Sequence, residues 1–383
     1  MSKIEICWLA AEAQEVTQIT CGRFLFCTTR GLQTLRMLIA NPQLAPGVHF
    51  YRRSDSRMQI GINPNTSLVI DIQIGRQLSQ LLDGNNSLTQ ICNVLAESGV
   101  DQTSSQNFLL QMLHLGLVTP GPIRQTHYEK NPVDAIQRHN LNRETRGDLG
   151  VIKRRVECEI SINGAGRLGT TLCLILASSG FPNIKVRDTK LVSENDLTPW
   201  GASRLDIGVR RDQVARLLVE RITRGAYNHQ NSFRFKASKK LEIFLPEQRA
   251  DFPWIDATCA DLLTGEDQPY LFASIAGESS LISQVIKPGS EPCLRCRHLH
   301  LVDQDSDWPL IDLQISQQAE LDTAPISLVV RTALAIQRCI ENWVDLDDSY
   351  SPAELKVLTA NSPDETYPTH FHPSCGCRWD LTV

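Results

Sequence analysis

Residues 156–169 read VECEISINGAGRLG, and this stretch decides the fold of the larger part of the chain. Residues 156–162 are typical of a β-strand and lead into glycines at 164, 166 and 169, and a long apolar helix follows. In this context Gly164 permits a tight turn, Gly166 lets the backbone approach a phosphate, and Gly169 lets the helix pack on the sheet. The helix N-terminus then faces the anion. The stretch therefore predicts a nucleotide-binding α/β fold built from βαβ units.

The next strand of this unit supplies a second candidate contact to a nucleotide. It covers residues 184–186, and Asp188 lies at its end. An acid at this position can accept hydrogen bonds from ribose hydroxyls, and the alternative is a surface carboxylate in a turn. The glycine pattern alone also permits an NAD(P)-dependent oxidoreductase.

Two close pairs of cysteines lie far apart in the sequence. Cys293 and Cys296 form a C-x-x-C pair, and Cys375 and Cys377 form a C-x-C pair near the C-terminus. Four sulfur ligands favour tetrahedral zinc, which is structural when no coordination position stays open. A redox dithiol is the alternative interpretation. The C-x-C spacing is tight, so a nearby histidine is an alternative fourth ligand: His298, His300 or His372.

The composition limits the classes of function. The chain has 383 residues, of which 42% are hydrophobic and 21% charged, and its net charge is −5. This charge excludes a generally basic nucleic-acid coat and offers no polybasic membrane patch. No apolar run approaches the roughly 20 residues of a membrane-spanning helix, and the N-terminus lacks a secretory signal pattern. We expect a cytoplasmic protein, in which clustered cysteines indicate metal ligands before disulfides.

The length predicts two or three domains at about 150 residues each. Before the βαβ unit, three short β-type runs precede three amphipathic helical patterns, and Ser87 is placed to cap the second helix. Sheet and helices in this order predict a winged-helix-like module. The expected division is an uncertain segment at 1–40, a winged-helix-like domain at 41–120, a polar linker at 121–150 and a nucleotide-binding domain with a zinc-binding tail at 151–383.

Taken together, these motifs resemble the ThiF/MoeB/HesA family of adenylating proteins, relatives of the ubiquitin-activating enzymes. The resemblance covers about residues 150–345 and the last cysteine pair. Four segments carry it: 163–169, the strand ending at Asp188, GVRR at 208–211 and EPCLRC at 291–296. It implies a Rossmann-like ThiF fold with a structural zinc, preceded here by the small winged-helix-like α+β domain, and it implies a homodimer.

The family implies a chemistry in which a carboxylate of a peptide or small carrier protein attacks the α-phosphate of Mg·ATP. The products are an acyl-adenylate and pyrophosphate, as in peptide-modification or sulfur-carrier pathways. The resemblance places Gly164, Gly166, Gly169, Asp188 and Arg211 at the nucleotide. Positioning and charge stabilisation are the enzyme's contribution to this type of reaction.

Several positions depart from the family's catalytic pattern. Lys190 stands where the family usually has a second acid, and Pro199 stands where it has an arginine. Arg204 lies five residues after Pro199 and is the expected substitute, so we expect Arg204 and Arg211 to be the catalytic cations. Arg211 takes the place of the family's phosphate lysine, a change that keeps the charge but alters its geometry.

Cys259 is a further departure, because it occupies the position of the acid that helps to hold Mg²⁺ in the family. Asp261 lies two residues away. Cys259 is a candidate for a catalytic thiol, but no histidine neighbour is evident in the sequence, so a buried structural cysteine is the favoured interpretation. These departures support an alternative function, a catalytically degenerate adaptor that delivers a leader peptide to a partner modifying enzyme.

The N-terminal module carries a second resemblance. Residues 42–48, 59–61 and 81–84 are similar to the peptide-recognition module of ribosomal-peptide maturation proteins of the TOMM type. That module binds a leader peptide as an added strand of its sheet, which implies a precursor peptide as partner. Nucleic acid is not an expected partner, because the module lacks a dense basic helix.

Overall fold

The computed structural model describes residues 41–45, 47–119, 154–223, 237–247, 249–264, 267–320, 323–345 and 354–378. The segment 1–40 and the predicted linker 121–150 lie outside the described residues. The chain divides into two compact units, Met1–Leu149 and Gly150–Val383.

The N-terminal unit combines a three-stranded antiparallel sheet, in the order β2-β3-β4, with three helices. Its strands are β1 (Gln43–Leu44), β2 (Phe50–Arg52), β3 (Arg57–Ile60), β4 (Leu68–Asp71) and β5 (Val118–Thr119), and its helices are α1 (Ile72–Leu81), α2 (Leu88–Glu97) and α3 (Gln102–His114). Strands β1 and β5 pair antiparallel as a separate ribbon. The predicted α+β module is confirmed.

Side chains fix the helix starts of this unit. Ser87 accepts a hydrogen bond from the backbone N–H of Gln90, and the Gln90 side chain accepts one from Ser87, so the predicted cap of α2 is a complete capping box. The apolar stripe of each helix then meets the sheet in one core. Its fully buried side chains include Ile60, Leu78, Ile91, Leu95, Leu109 and Met112.

The C-terminal unit is built on a seven-stranded mixed sheet. Its strands are β6 (Cys158–Asn163), β7 (Ile184–Arg187), β8 (Lys239–Phe244), β9 (Tyr270–Ala276), β10 (Ser279–Ser283), β11 (Glu354–Thr359) and β12 (Glu365–Pro368). They lie side by side in the order β12-β11-β10-β9-β8-β6-β7. Strands β7, β6, β8 and β9 run parallel, and the rest pair antiparallel. Since β6 lies between β7 and β8, the strand order reverses there. Sheets of this type bind ligands in the crevice at the carboxyl ends of such strands.

Helices cover this sheet on both faces. They are α4 (Arg167–Ser178), α5 (Arg211–Thr223), α6 (Ala257–Thr264), α7 (Leu294–Gln304), α8 (Trp308–Ser316) and α9 (Ile326–Asp345). On one face α9 packs against α4 and buries Leu172, Cys173, Ile336 and Ile340. In a second core, Tyr270 and Phe272 of β9 pack with apolar residues of α6 and α7. Among the described residues, no helix combines the length and apolarity needed to cross a bilayer.

The C-terminal zinc-binding tail expected from the sequence also contains two strands that the sequence did not predict. Strands β11 and β12 extend the sheet beyond β10 before the chain reaches the last cysteine pair. Leu355 and Val357 alternate with half-exposed residues along β11 and are buried, which is the period of a strand. The strand is short and follows a polar stretch, so its alternation was too weak to predict.

Candidate nucleotide-binding and metal sites

The glycine loop between β6 and α4 uses its three glycines in two ways. A Cβ on Gly164, whose φ is +108°, would lie 2.3 Å from the Leu245 carbonyl oxygen, and one on Gly169 would lie 2.0 Å from the Gly164 carbonyl oxygen. Close backbone packing therefore requires both residues. A Cβ on Gly166 would meet only Asp196 Oδ1, at 3.7 Å. Gly166 precedes α4, and no side chain caps that helix start, so its N–H groups remain available to an anion.

Asp188 lies beside this loop, where the sequence predicts it. Its Oδ2 accepts a hydrogen bond from the Ala165 N–H at 2.7 Å, and its Oδ1 accepts one from the Lys190 N–H at 3.0 Å. The carboxylate thus fastens the loop to the end of β7. A carboxylate has about four acceptor positions, so Asp188 keeps acceptor capacity for ribose hydroxyls.

Arg211 begins α5 and is surrounded by three carboxylates. Its Nη2 lies 2.8 Å from Asp196 Oδ1, and its Nη1 contacts Glu247 and lies 3.7 Å from Asp188 Oδ2. The Arg211 side chain is only 10% exposed. The structure therefore brings Arg211 to the glycine loop, but acids already match its charge, and a phosphate must compete with them.

A cavity of about 290 Å³ opens next to this arginine at the carboxyl end of β8. Its charged lining residues are Lys190, Glu247, Arg249, Asp256 and Glu320, and Trp254 and Cys259 also line it. Lys190 Nζ lies 2.6 Å from Glu247 Oε2 and 2.6 Å from Glu320 Oε2. Arg249 Nη2 lies 3.2 Å from Glu320 Oε1. The cations of the cavity are thus held by two shared acids.

The acids and cations of this network shift one another's titration. Burial and a hydrogen bond with Glu320 raise the pKa of Glu247. The same hydrogen bond is the main cause that lowers the pKa of Glu320 to about 2, with Lys190 and Arg249 adding to it. Burial alone would lower the pKa of Lys190, but hydrogen bonds to both acids outweigh it and the net shift is upward.

Like the loop glycines, Asp188 and Arg211, two further candidate residues are not among those that line the cavity. Arg204 is exposed on the short 3-10 turn Arg204–Asp206 and is not among the described residues that line the cavity. Asp261 lies on α6, is 61% exposed and pairs with Arg295 at 3.3 Å. Asp256, at the start of the same helix, is the acid that lines the cavity near Cys259.

Cys259 lines the cavity without the environment of an activated thiol. Burial raises its pKa to about 11, with Asp256 adding to the shift. A thiol with this pKa stays protonated at neutral pH and is a weak nucleophile. The geometry favours the structural interpretation of this cysteine.

The sequence did not single out four charged residues of this region, which are Asp196, Glu247, Arg249 and Glu320. Asp196 had a local signal, because Ser193 and Asp196 form a capping box that buries the acid. Glu247 follows β8 at the same sheet edge where Asp188 follows β7, which is a weaker signal. Glu320 had none, since a tertiary contact alone brings it to Lys190.

The four cysteines converge as predicted and form the four-cysteine cluster of Cys293, Cys296, Cys375 and Cys377. Their sulfur atoms all lie within 4.8 Å of one another, and three measured pairs are 3.3, 3.4 and 3.9 Å apart. Tetrahedral Zn–S bonds of about 2.3 Å place the sulfurs about 3.8 Å apart, so this donor set fits zinc. Between the last two cysteines Gly376 has φ +70°, which lets both thiols face the same point.

The histidine alternatives fit the metal site less well. His372 Nδ1 accepts a hydrogen bond from the Ser374 N–H at 3.1 Å, and its Nε2 lies 2.9 Å from Asp303 Oδ2. His300 Nε2 lies 3.2 Å from the His370 carbonyl oxygen. Of the described histidines, none joins the four-cysteine cluster. His372 instead ties the C-terminal segment to the end of α7.

Comparison with known proteins agrees with this architecture. Residues 137–336 match the sequence profile of the ThiF family. Among solved structures, Escherichia coli MccB superposes with a TM-score of 0.60 at 15% identity, over 89% of this chain and 98% of MccB. The microcin C7 biosynthetic enzyme MccB in complex with N-formylated MccA gives 0.57 at 14% identity, over 88% and 99%. The heterocyclase TruD gives 0.50 at 13%, over 89% of this chain and 43% of TruD. At these identities the likeness shows the fold, and no curated protein matches the sequence.

Proposed function

This chain belongs to the ThiF family, whose profile matches just over half of its length, and on that premise we propose that it is an ATP-dependent adenylating enzyme. Its substrate is a carboxylate of a peptide or small carrier protein. The observation that carries the proposal is the open face of Gly166, with Asp188 and Arg211 at the same crevice. A bare helix N-terminus next to a buried cation is suited to a phosphate.

In this proposal each residue has a separate role. The loop amides around Gly166 and the start of α4 bind phosphate oxygens, and Asp188 accepts a ribose hydroxyl. Arg211 stabilises the charge that develops when the substrate carboxylate attacks the α-phosphorus and pyrophosphate leaves. Mg²⁺ enters with ATP, and Asp256 is the acid that faces it in place of the residue lost at Cys259.

The four-cysteine cluster holds a structural zinc in this proposal. The metal supplies no chemistry, because four thiolates leave no open coordination position. It fastens the segment after β12 to the start of α7, and so keeps the C-terminal strands on the sheet.

For the N-terminal unit we propose capture of a leader peptide. Within the described part of the chain this sheet has two edges, β2 and β4, because only β3 has partners on both sides there. An extended peptide adds to such an edge through backbone hydrogen bonds. The family relationship supports a homodimer, and the complex of MccB with N-formylated MccA supports a peptide as partner.

Pyrophosphate exchange tests the proposal with zinc-loaded protein, Mg·ATP and candidate precursor peptides encoded beside the gene. The matched variant is Gly166→Asp, which the φ of −66° permits; its carboxylate would lie near Asp196, and thermal unfolding checks that the variant is folded. We expect exchange that depends on the peptide and is lost in the variant. Absence of exchange by a protein that binds both ATP and a peptide would sink the proposal.

One observation favours a second candidate, the adaptor. Arg211 and Lys190 are already bonded to acids, and Cys259 stands in place of an acid. An adaptor would deliver the leader peptide to a partner modifying enzyme without turning over ATP. Unchanged peptide binding and unchanged partner-dependent modification by Gly166→Asp would support it, and loss of modification by that folded variant would count against it.

A further inference from the structure

Two cations on the cavity wall share one acid. Lys190 Nζ lies 2.6 Å from Glu320 Oε2, and Arg249 Nη2 lies 3.2 Å from Glu320 Oε1. The carboxylate of Glu320 thus spans both cations with one oxygen on each. A phosphoryl group can make the same two contacts, because two of its oxygens are bonded to one phosphorus atom and each can face a cation.

These pairs continue toward the glycine loop. Arg211 contacts Glu247, Glu247 contacts Lys190, Lys190 contacts Glu320, and Glu320 contacts Arg249. We call these five residues the ion-pair row. Its first cation lies beside Asp188 and Asp196, next to Gly166, and its last lies on the cavity wall. The row therefore runs from the predicted phosphate loop into the cavity.

The two acids of the ion-pair row differ in how far their side chains are exposed to solvent. The Glu247 side chain is 27% exposed and contacts both Lys190 and Arg211. The Glu320 side chain is 36% exposed and lies outside the helices, between α8 and α9. Its ion pairs are half open to water, where such pairs are weaker than buried ones. Glu320 is thus the more exposed acid of the row and the one that contacts both cavity cations, so it is the acid whose place an incoming anion can take.

We propose that Lys190 and Arg249 bind the polyphosphate tail of the nucleotide, and that Glu320 occupies the place of those phosphates when no nucleotide is bound. By the resemblance, Lys190 stands where the family usually has an acid and Pro199 where it has an arginine, so the positive charge at this edge of the sheet is distributed differently here. The inference rests on the proposed function only in taking ATP as the nucleotide. On this proposal Glu320 occupies the place of the phosphates only while no nucleotide is bound, so the paired cations are compatible with an active site.

Calorimetric titration of zinc-loaded protein with Mg·ATP, Mg·pyrophosphate and AMP tests the proposal. Glu320→Gln removes the competing charge, so we expect affinity for ATP and for pyrophosphate to rise about tenfold, while affinity for AMP, which lacks the tail, stays unchanged. Lys190→Gln and Arg249→Gln should each lower the affinity for ATP about tenfold without changing that for AMP. Glu220→Gln is the matched control, because Glu220 is 40% exposed and pairs with Arg216 on α5.

Three results would overturn the proposal: unchanged ATP affinity in Glu320→Gln, an equal gain for AMP, or no ATP binding by either protein. Thermal unfolding checks that each variant is folded, and the two cation variants decide the matter if Glu320→Gln is not. Pyrophosphate exchange separates this inference from the proposed function. A tenfold gain in ATP binding without any exchange keeps the phosphate role of Lys190 and Arg249 and rejects adenylation.

Discussion

The four-cysteine cluster and the glycine-loop crevice lie in the same unit, and both are assembled from segments distant in sequence. In the cluster the four sulfur atoms face one another at 3.3–3.9 Å in the measured pairs. In the crevice Arg211, Lys190 and Arg249 are each bonded to an acid. The first region gathers four thiols in an arrangement that fits one metal ion, whereas in the second region the cations are already paired with carboxylates of the same chain.

The comparison shows what a motif leaves out. A motif lists the groups that contact a ligand, but it does not list the groups that compete with the ligand. Zinc meets thiols that are otherwise weak hydrogen-bonding groups. A phosphate must displace carboxylates that already make charge-assisted hydrogen bonds. We therefore expect a large stabilisation from the metal and a smaller one from the nucleotide.

Removal of one cysteine of the four-cysteine cluster should have the largest effect on the stability of the protein. We expect Cys375→Ser to lose its zinc and to unfold with a free energy lower by about 4 kcal/mol, the value of a ligand present at 1,000 times its dissociation constant. Chelation of zinc from the wild-type protein should give the same loss. Metal analysis and denaturant unfolding measure the two quantities.

The control for this change is Cys339→Ala, which removes a buried thiol on α9 away from the cluster. It should keep a full equivalent of zinc. If Cys375→Ser retained zinc and stability, a histidine would be the fourth ligand after all, and His372→Gln would then release the metal.

Removal of the buried cation should have the next largest effect. Arg211→Met leaves Asp188, Asp196 and Glu247 without their shared guanidinium, and an unpaired buried charge costs about 3 kcal/mol or more. The neighbouring Arg210→Met is the control, because Arg210 is 45% exposed and pairs only at the surface. Urea unfolding of both variants distinguishes the cases. Equal stability of the Arg211→Met and Arg210→Met variants would mean that Arg211 does not stabilise the carboxylates of the crevice.

Substitutions of the loop glycines should have a smaller effect on the free energy of unfolding. Gly169→Ala places a methyl group 2.0 Å from a backbone oxygen, so the helix must shift, and we expect a loss of about 1–3 kcal/mol in stability. Gly166→Ala adds a methyl group with 3.7 Å of clearance and should change stability by less than about 0.5 kcal/mol. It should still weaken ATP binding, because the methyl group stands where the phosphate approaches. Equal destabilisation by both would refute the division of roles among the glycines.

Local sequence signals predicted the parts of this molecule that depend on backbone geometry. The strand, loop and helix at β6 and α4 follow from alternation and from glycine spacing, and the start of α2 follows from Ser87 and Gln90. The cysteine pairs predicted their own convergence because two close pairs together supply the four sulfur ligands that tetrahedral zinc favours. These features are encoded within a few residues each.

The acids of the crevice could not be predicted in the same way. Glu320 lies 130 residues after Lys190, and only the packing of the segment between α8 and α9 brings the two together. Strand β11 depends similarly on β10 beside it. Arg204 lies in a short exposed turn and does not line the cavity, so its catalytic role stays a prediction. The partners of these charged side chains and of the edge strand are distant in sequence, and only the tertiary fold brings them into contact.

The smallest expected effect concerns Cys259, the one cysteine among the described residues that lines the cavity. Burial raises its pKa from 9.0 to about 11, so its thiolate fraction at pH 8 should be about 100-fold below that of an ordinary thiol. Alkylation by iodoacetamide, followed by mass spectrometry on the zinc-loaded protein, should be slow at pH 8 and rise about tenfold for each pH unit up to the pKa. Fast labelling with a midpoint near pH 7 would contradict this and restore the catalytic thiol. Slow labelling would place Cys259 with the buried cysteines, and the crevice would then have no nucleophilic thiol.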